Sequence, residues 1–334
     1  MTTAGSEERM YEMVDCQIHE PLPWHEDSIP PGDVEVRNAV ITELALSSMD
    51  AVGVTAAVIA SVGGHAEWPQ HATTSFPRRF AALRSAGAAG LDPLAPDIAE
   101  QVERVQATAG VIGLRVSDFG AQAEGASKIV DGSFAALFAA AARLRFPVCI
   151  YLANRLDLVP RLVAAHPDLI LVIDHVGVQQ PMAVNGGRAD VPRFKQLPAL
   201  LRLSRFDNVV VKLSGYCTLS MEPFPFPDLR EPLLALVEAY GPQRLIWGTD
   251  IQRVQGRFRN PRPDAWNTDH YPGRHTYAEA VAFLRDVEGL SSTDRATIFA
   301  GAHRRVFGWP PERAVSAGMN TDAGLSAPCA GERR

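Results

Sequence analysis

Val14-Asp15-Cys16-Gln17-Ile18-His19 is a short apolar run that ends on a proton-handling side chain. Two later stretches repeat the form: Val172-Ile173-Asp174-His175 and Leu245-Ile246-Trp247-Gly248-Thr249-Asp250. Each reads as a strand with a reactive group at its C-terminal end. A closed barrel of parallel strands gathers such ends at one face, where barrel enzymes carry out their chemistry. Outward from these segments, short β-branched runs alternate with longer Ala/Leu-rich amphipathic stretches. Period and composition predict strands near 11–19, 54–61, 80–83, 111–116, 147–152, 169–176, 208–213 and 244–248. They predict helices over 36–52, 96–108, 133–144, 158–165, 193–205, 228–240, 277–286 and 292–299. About eight strand–helix units is the count of a (β/α)8 TIM barrel. A doubly wound open sheet would carry a Gly-rich phosphate loop after an early strand, and none is seen.

The 334 residues are 46% hydrophobic and 21% charged, which is ordinary globular composition. One barrel domain over 1–311 is expected, followed by a small, polar, flexible tail over 312–334. The net charge of -6 comes without a basic run, which argues against nucleic acid or an anionic membrane as partner. No apolar run has the length of a membrane span, and the first ten residues lack a signal-peptide core. A cytoplasmic location is therefore expected. The four cysteines are scattered without metal-type spacing and read as small buried hydrophobes. A symmetric homodimer is the default assembly.

Side chains two apart on a strand share a face, so Gln17 and His19 can both point into the barrel. In a closed barrel the eighth strand pairs with the first, which brings Asp250 towards His19. His175 then faces them from the sixth strand. His19, His175 and Asp250 are the expected catalytic set. Arg115, at the end of the fourth strand, could fork a substrate carboxylate. Lys212 in its apolar strand is expected to point into the mouth, and Tyr151 closes the fifth strand. Two long loops, 20–35 and 251–274, should lie over the mouth, with Trp24 and His25 the loop residues expected to touch substrate. His65, His71, His270 and His275 also fall on expected mouth loops. His166 reads as a helix cap and His303 as structural.

Several motifs together resemble the amidohydrolase-related branch of the amidohydrolase superfamily, over about residues 11 to 309. They are Asp15-Cys16-Gln17-Ile18-His19, Gly113-Leu114-Arg115, Asp174-His175-Val176-Gly177, Val211-Lys212-Leu213-Ser214-Gly215, Arg244 through Asp250, and Arg304-Arg305-Val306-Phe307-Gly308. The resemblance implies a barrel enzyme such as a sugar or pyrone-dicarboxylate lactonase, with metal-dependent decarboxylases and hydratases as cousins. The chain departs from the family pattern at Gln17, where the first histidine of a His-x-His pair usually stands. It departs again at Cys149-Ile150-Tyr151-Leu152, which lacks the strand-five histidine of many metal-binding members. The fourth strand offers no bridging residue, so a two-metal site is not expected.

The resulting expectation is a hydrolase that opens a lactone or similar acyl bond on a small anionic or carbonyl-bearing molecule. Asp250 would activate water while His19, His175 and Gln17 polarise the carbonyl. The resemblance to lactonases implies no required cofactor. The alternative is one divalent ion, Zn²⁺ or Mn²⁺, held by His19, His175 and Asp250, in a decarboxylase or hydratase. A barrel that only binds a ligand is the third reading.

Overall fold

The computed structural model describes residues 11–19, 33–60, 67–86, 90–116, 128, 131–152, 155–178, 194–250 and 275–311. Trp24, His25, His65, His270, residues 20–32 of the first long loop, the whole of 251–274 and the tail 312–334 lie outside them. Eight parallel strands form one sheet in chain order: β1 Val14–Ile18, β2 Ala56–Ala60, β3 Phe80–Ala86, β4 Val111–Val116, β5 Val148–Ile150, β6 Leu171–Ile173, β7 Val209–Ser214 and β8 Leu245–Gly248. Ten α-helices are described: α1 Val34–Ala51, α2 Glu67–Ser75, α3 Ile98–Gln106, α4 Ala135–Arg143, α5 Val159–Ala165, α6 Leu197–Leu203, α7 Arg230–Tyr240, α8 Tyr277–Asp286, α9 Ser292–Ala296 and α10 Ala302–Phe307. The predicted strands all form, most of them shorter than their apolar runs. Glu67–Ser75 was not predicted as a helix, and its Trp68 and Ala72 pack in the core. His71 therefore sits on a helix rather than on the expected mouth loop.

Strands covered by helices on one face and packed together on the other are buried on both faces and predominantly apolar. β1, β2, β5, β6, β7 and β8 accordingly have every residue buried. A large core lies between sheet and helices. A smaller one contains Cys16, Val58, Leu83, Cys149, Val172, Val210 and Ile246. Cys16, Cys149 and Cys217 are free and buried, as expected.

β1 carries an irregularity that matters for the site. Asp15 pairs with Ala57 and Ile18 with Ile59, so three steps along β1 match two along β2. Such a bulge re-aims side chains that strict alternation would place together. The Asp15 carboxylate accepts a hydrogen bond from the hydroxyl of Tyr277 on α8, while Gln17 accepts one from Lys212 on β7. The β8–β1 seam is closed by Asp250 N–H donating to Gln17 O at 2.9 Å and Thr249 N–H donating to Asp15 Oδ1 at 2.9 Å. No helix among the described residues is long and apolar enough to cross a membrane.

Candidate active site

The three expected catalytic groups meet at one point, and the residue between them is Gln17. Gln17 Nε2 lies 3.0 Å from Asp250 Oδ1, 3.3 Å from His175 Nε2 and 3.4 Å from His19 Nε2. His19 Nε2 is itself 2.7 Å from Asp250 Oδ1. All four residues are buried.

Local backbone geometry delivers these side chains. His175 (φ 52°), Val176 (φ 49°) and Asp250 (φ 58°) sit in the left-handed region. Residues with a Cβ rarely adopt it, and such strain costs on the order of 1–3 kcal/mol. Two of these three positions carry site residues, immediately after β6 and β8. At Asp250 the backbone is held by its N–H, which donates to Gln17 O at 2.9 Å. Gly248 is required by close approach, since a Cβ there would meet Cys16 Sγ at 2.5 Å.

Proton positions follow from the partners. His175 Nδ1 lies 2.9 Å from the Ser214 hydroxyl, which can accept as well as donate, and 3.0 Å from the backbone oxygen of Ser214, which can only accept. Nδ1 therefore carries the hydrogen and Nε2 presents a lone pair to the site. Lys212 Nζ, which can only donate, lies 3.2 Å from Gln17 Oε1. That contact fixes the amide with its NH2 towards the three groups. A nitrogen 2.7 Å from a carboxylate oxygen shares a proton with it, so His19 donates from Nε2 to Asp250. The two amide hydrogens of Gln17 then go to Asp250 Oδ1 and His175 Nε2.

Beside this point lies a buried ion cluster that the sequence reading did not assemble. Arg115 Nε donates to Asp174 Oδ2 at 2.8 Å, and Lys212 Nζ lies 3.0 Å from Asp174 Oδ1. Burial alone would raise the Asp174 pKa. The charges of Lys212 and Arg115, with His175, outweigh it and hold the carboxyl well below the ordinary range. Burial likewise works against the Lys212 charge, and Asp174 more than compensates, so its pKa is raised. Arg115 and Lys212 were expected at the mouth, towards substrate. The structure places both against Asp174, at 1% exposure or less. The missed signal was Asp174 itself, the residue before His175. It is the one acidic group at the end of β6, and two buried cations needed a counter-charge.

Asp15 was also missed. It accepts from Gln17 N–H, from Thr249 through both backbone and hydroxyl, and from Tyr277. Burial raises its pKa to about 6, against the pull of those hydrogen bonds. Tyr151 packs edge-on to the His175 ring, with centroids 5.5 Å apart. His275 is buried against Phe226 and His303 against Phe307, and burial lowers their pKa values to about 4 and about 3. His166 ends α5 as its C-cap, as expected.

The donor set suits a divalent ion in its chemistry. It holds two imidazoles and a carboxylate, and one imidazole is held in the ligating tautomer by a hydrogen bond on its far nitrogen. Among the described residues, however, no three His, Cys, Asp or Glu side chains stand spaced as a ready ion cage. The Gln17 amide stands among them instead.

Comparison with known proteins places these observations. The model of the amidohydrolase family matches residues 14–309. An L-fucono-1,5-lactonase from Burkholderia ambifaria is 38% identical over 98 residues, 28% of this chain and 30% of that protein. The chain thus matches under a third of that relative's length. Among solved structures, an amidohydrolase from Burkholderia multivorans with bound zinc superposes with a TM-score of 0.66. It is 20% identical over 90% of this chain and 100% of its own. A 4-oxalomesaconate hydratase from Rhodopseudomonas palustris gives 0.59 at 16% identity, over 89% of this chain and 95% of its own. At these identities the likeness to solved structures is one of fold. The expectation that no cofactor is required is corrected here, because an amidohydrolase of this fold carries zinc. The physical reason lies in the donor set, whose unprotonated imidazole nitrogen and carboxylate oxygen converge where a cation can use both. The eight-stranded parallel sheet, the converging His19, His175 and Asp250, and a family match spanning residues 14–309 agree, and the chain belongs to the amidohydrolase family.

Proposed function

We propose that this enzyme opens a lactone or a similar acyl bond of a small anionic or carbonyl-bearing molecule. His19, His175 and Asp250 would hold one divalent ion, zinc or manganese. The observation that carries the reading is the approach of all three side chains to a single point, within 3.4 Å of one atom. The lactonase relative supports the choice of bond. The hydratase neighbour marks a lyase as the competing outcome of a substrate screen.

When bound, a divalent ion polarises a carbonyl and lowers the pKa of water. The chain's own residues do the rest. Asp250 takes a proton from water as the water oxygen adds to the acyl carbon. The ring C–O bond then breaks, and the proton held by Asp250 passes to the leaving oxygen. Lactone and water become a hydroxy acid, with no other reactant. In the ion-free protein His19 Nε2 donates to Asp250 at 2.7 Å, and that hydrogen must leave before the same nitrogen can hold the ion. The Ser214 carbonyl keeps His175 in one tautomer. Asp15 secures the seam by binding the backbone of Gln17 and Thr249, next to the reacting carboxylate.

The test is a panel of lactones, esters and carboxylated aromatics, run with wild type and Asp250→Asn. Removing a proton-transfer group of this kind costs about 10²–10⁴-fold. Wild type should hydrolyse at least one lactone, lose activity to a chelator and regain it with Zn²⁺ or Mn²⁺. Asp250→Asn should fold normally and fall by that factor. Near-wild-type turnover in this variant ends the mechanism, and decarboxylation or hydration without hydrolysis ends the assignment of bond type.

A further inference from the structure

We infer that Gln17 is a placeholder that competes with the ion, and that Lys212 is a positioning residue that keeps it in that role. The inference rests on the reading of His19, His175 and Asp250 as the ion-holding set. The Gln17 NH2 group donates to Asp250 Oδ1 and His175 Nε2. The Nε2 of His175 has a single lone pair that a cation must use, so the amide hydrogen and the metal compete for the same electrons there. A freely rotating glutamine could resolve the conflict by turning its carbonyl oxygen inwards and becoming a ligand. Here it is prevented from doing so.

The restraint is Lys212. Its Nζ lies 3.2 Å from Gln17 Oε1, and turning the amide would set NH2 against NH3⁺. Lys212 is held in turn by Asp174 at 3.0 Å, and Asp174 by Arg115 at 2.8 Å. Every member of this chain is buried, so the side chains have little room to swing aside. In the metal-free protein the amide ties Asp250 to His175 and prevents a buried carboxylate and a buried imidazole lone pair from facing each other unbridged. The consequence is a site whose metal affinity is held down by its own first strand. An ion enters only as Gln17 gives up both hydrogen bonds and His19 gives up the hydrogen it shares with Asp250.

The experiment is zinc titration of the metal-stripped full-length protein against a chromogenic chelator. It compares wild type, Gln17→Ala, Lys212→Met, the double variant and Asp250→Asn as ligand control. Gln17→Ala removes one partner of Lys212 but keeps the Lys212–Asp174 and Arg115–Asp174 pairs, and is the variant expected to disturb the fold least. It should bind Zn²⁺ at least tenfold tighter than wild type. Lys212→Met should also tighten binding, by a larger factor in the wild-type background than in the Gln17→Ala background, because it acts through the amide. Weaker zinc binding by Gln17→Ala makes the glutamine a ligand and overturns the inference. So do unchanged binding, or a Lys212→Met effect of equal size in both backgrounds. In each of these cases loss of binding in Asp250→Asn still supports the ion-holding reading. Absence of zinc binding in wild type and Gln17→Ala alike overturns both.

Discussion

Asp174→Asn isolates the buried ion cluster from the reacting groups. Asparagine keeps the shape of the side chain and removes its charge. It leaves Arg115 and Lys212 as two buried cations without the carboxylate that faces them at 2.8 and 3.0 Å. Breaking a buried ion pair by removing one partner costs about 3–5 kcal/mol, because the remaining charge stays out of water. With an unfolding entropy of about 2.1 cal/mol/K per residue over the roughly 225 described residues, the melting temperature should fall by about 6–11 °C. Urea unfolding followed by circular dichroism at pH 7 measures the free energy directly. The pH dependence provides a second check. The folded pKa of Asp174 lies below the ordinary 3.8, so its contribution is fully present above that value and is lost as pH falls through the folded pKa. The gap between wild type and variant should stay constant from pH 7 to about pH 5 and shrink only below about pH 4. A loss under about 1 kcal/mol at pH 7, or a gap already closed at pH 6, would refute the assignment of Asp174 as the cluster's counter-charge.

Asp15 should behave in the opposite sense. Its folded pKa of about 6 lies above the ordinary 3.8, so the folded state holds the proton longer. Stability should fall as pH rises from about 4 to about 6 and level off above, and carboxyl ¹³C shifts of Asp15 should report a midpoint near 6. A midpoint near 4 would show that its hydrogen bonds outweigh its burial. Gly248→Ala should cost about 1–3 kcal/mol, since its Cβ would meet Cys16 Sγ at 2.5 Å. Adding Cys16→Ala should recover part of that loss, and equal destabilisation with and without Cys16 would locate the strain elsewhere.

Apolar periodicity alone makes the eight strands and their order legible, because strands buried on both faces read as near-continuous apolar runs. The position of His19, His175 and Asp250 just past strand ends is legible because each stands one or two residues beyond an apolar run. Glu67–Ser75 was not, because its apolar face is short and interrupted by Pro69. What the sequence could not disclose is which polar groups satisfy one another. Arg115, Asp174 and Lys212 lie on three strands and read singly as substrate-facing or structural. Only closure of the barrel makes them one cluster.

Chain chemistry by itself therefore determines the eight barrel strands and sets His19, His175 and Asp250 at strand ends. The tertiary structure decides that Gln17 stands among those groups with its amide turned by Lys212. Local pattern cannot contain that fact. The charge that orients the glutamine stands 195 residues away and reaches it only across the folded interior.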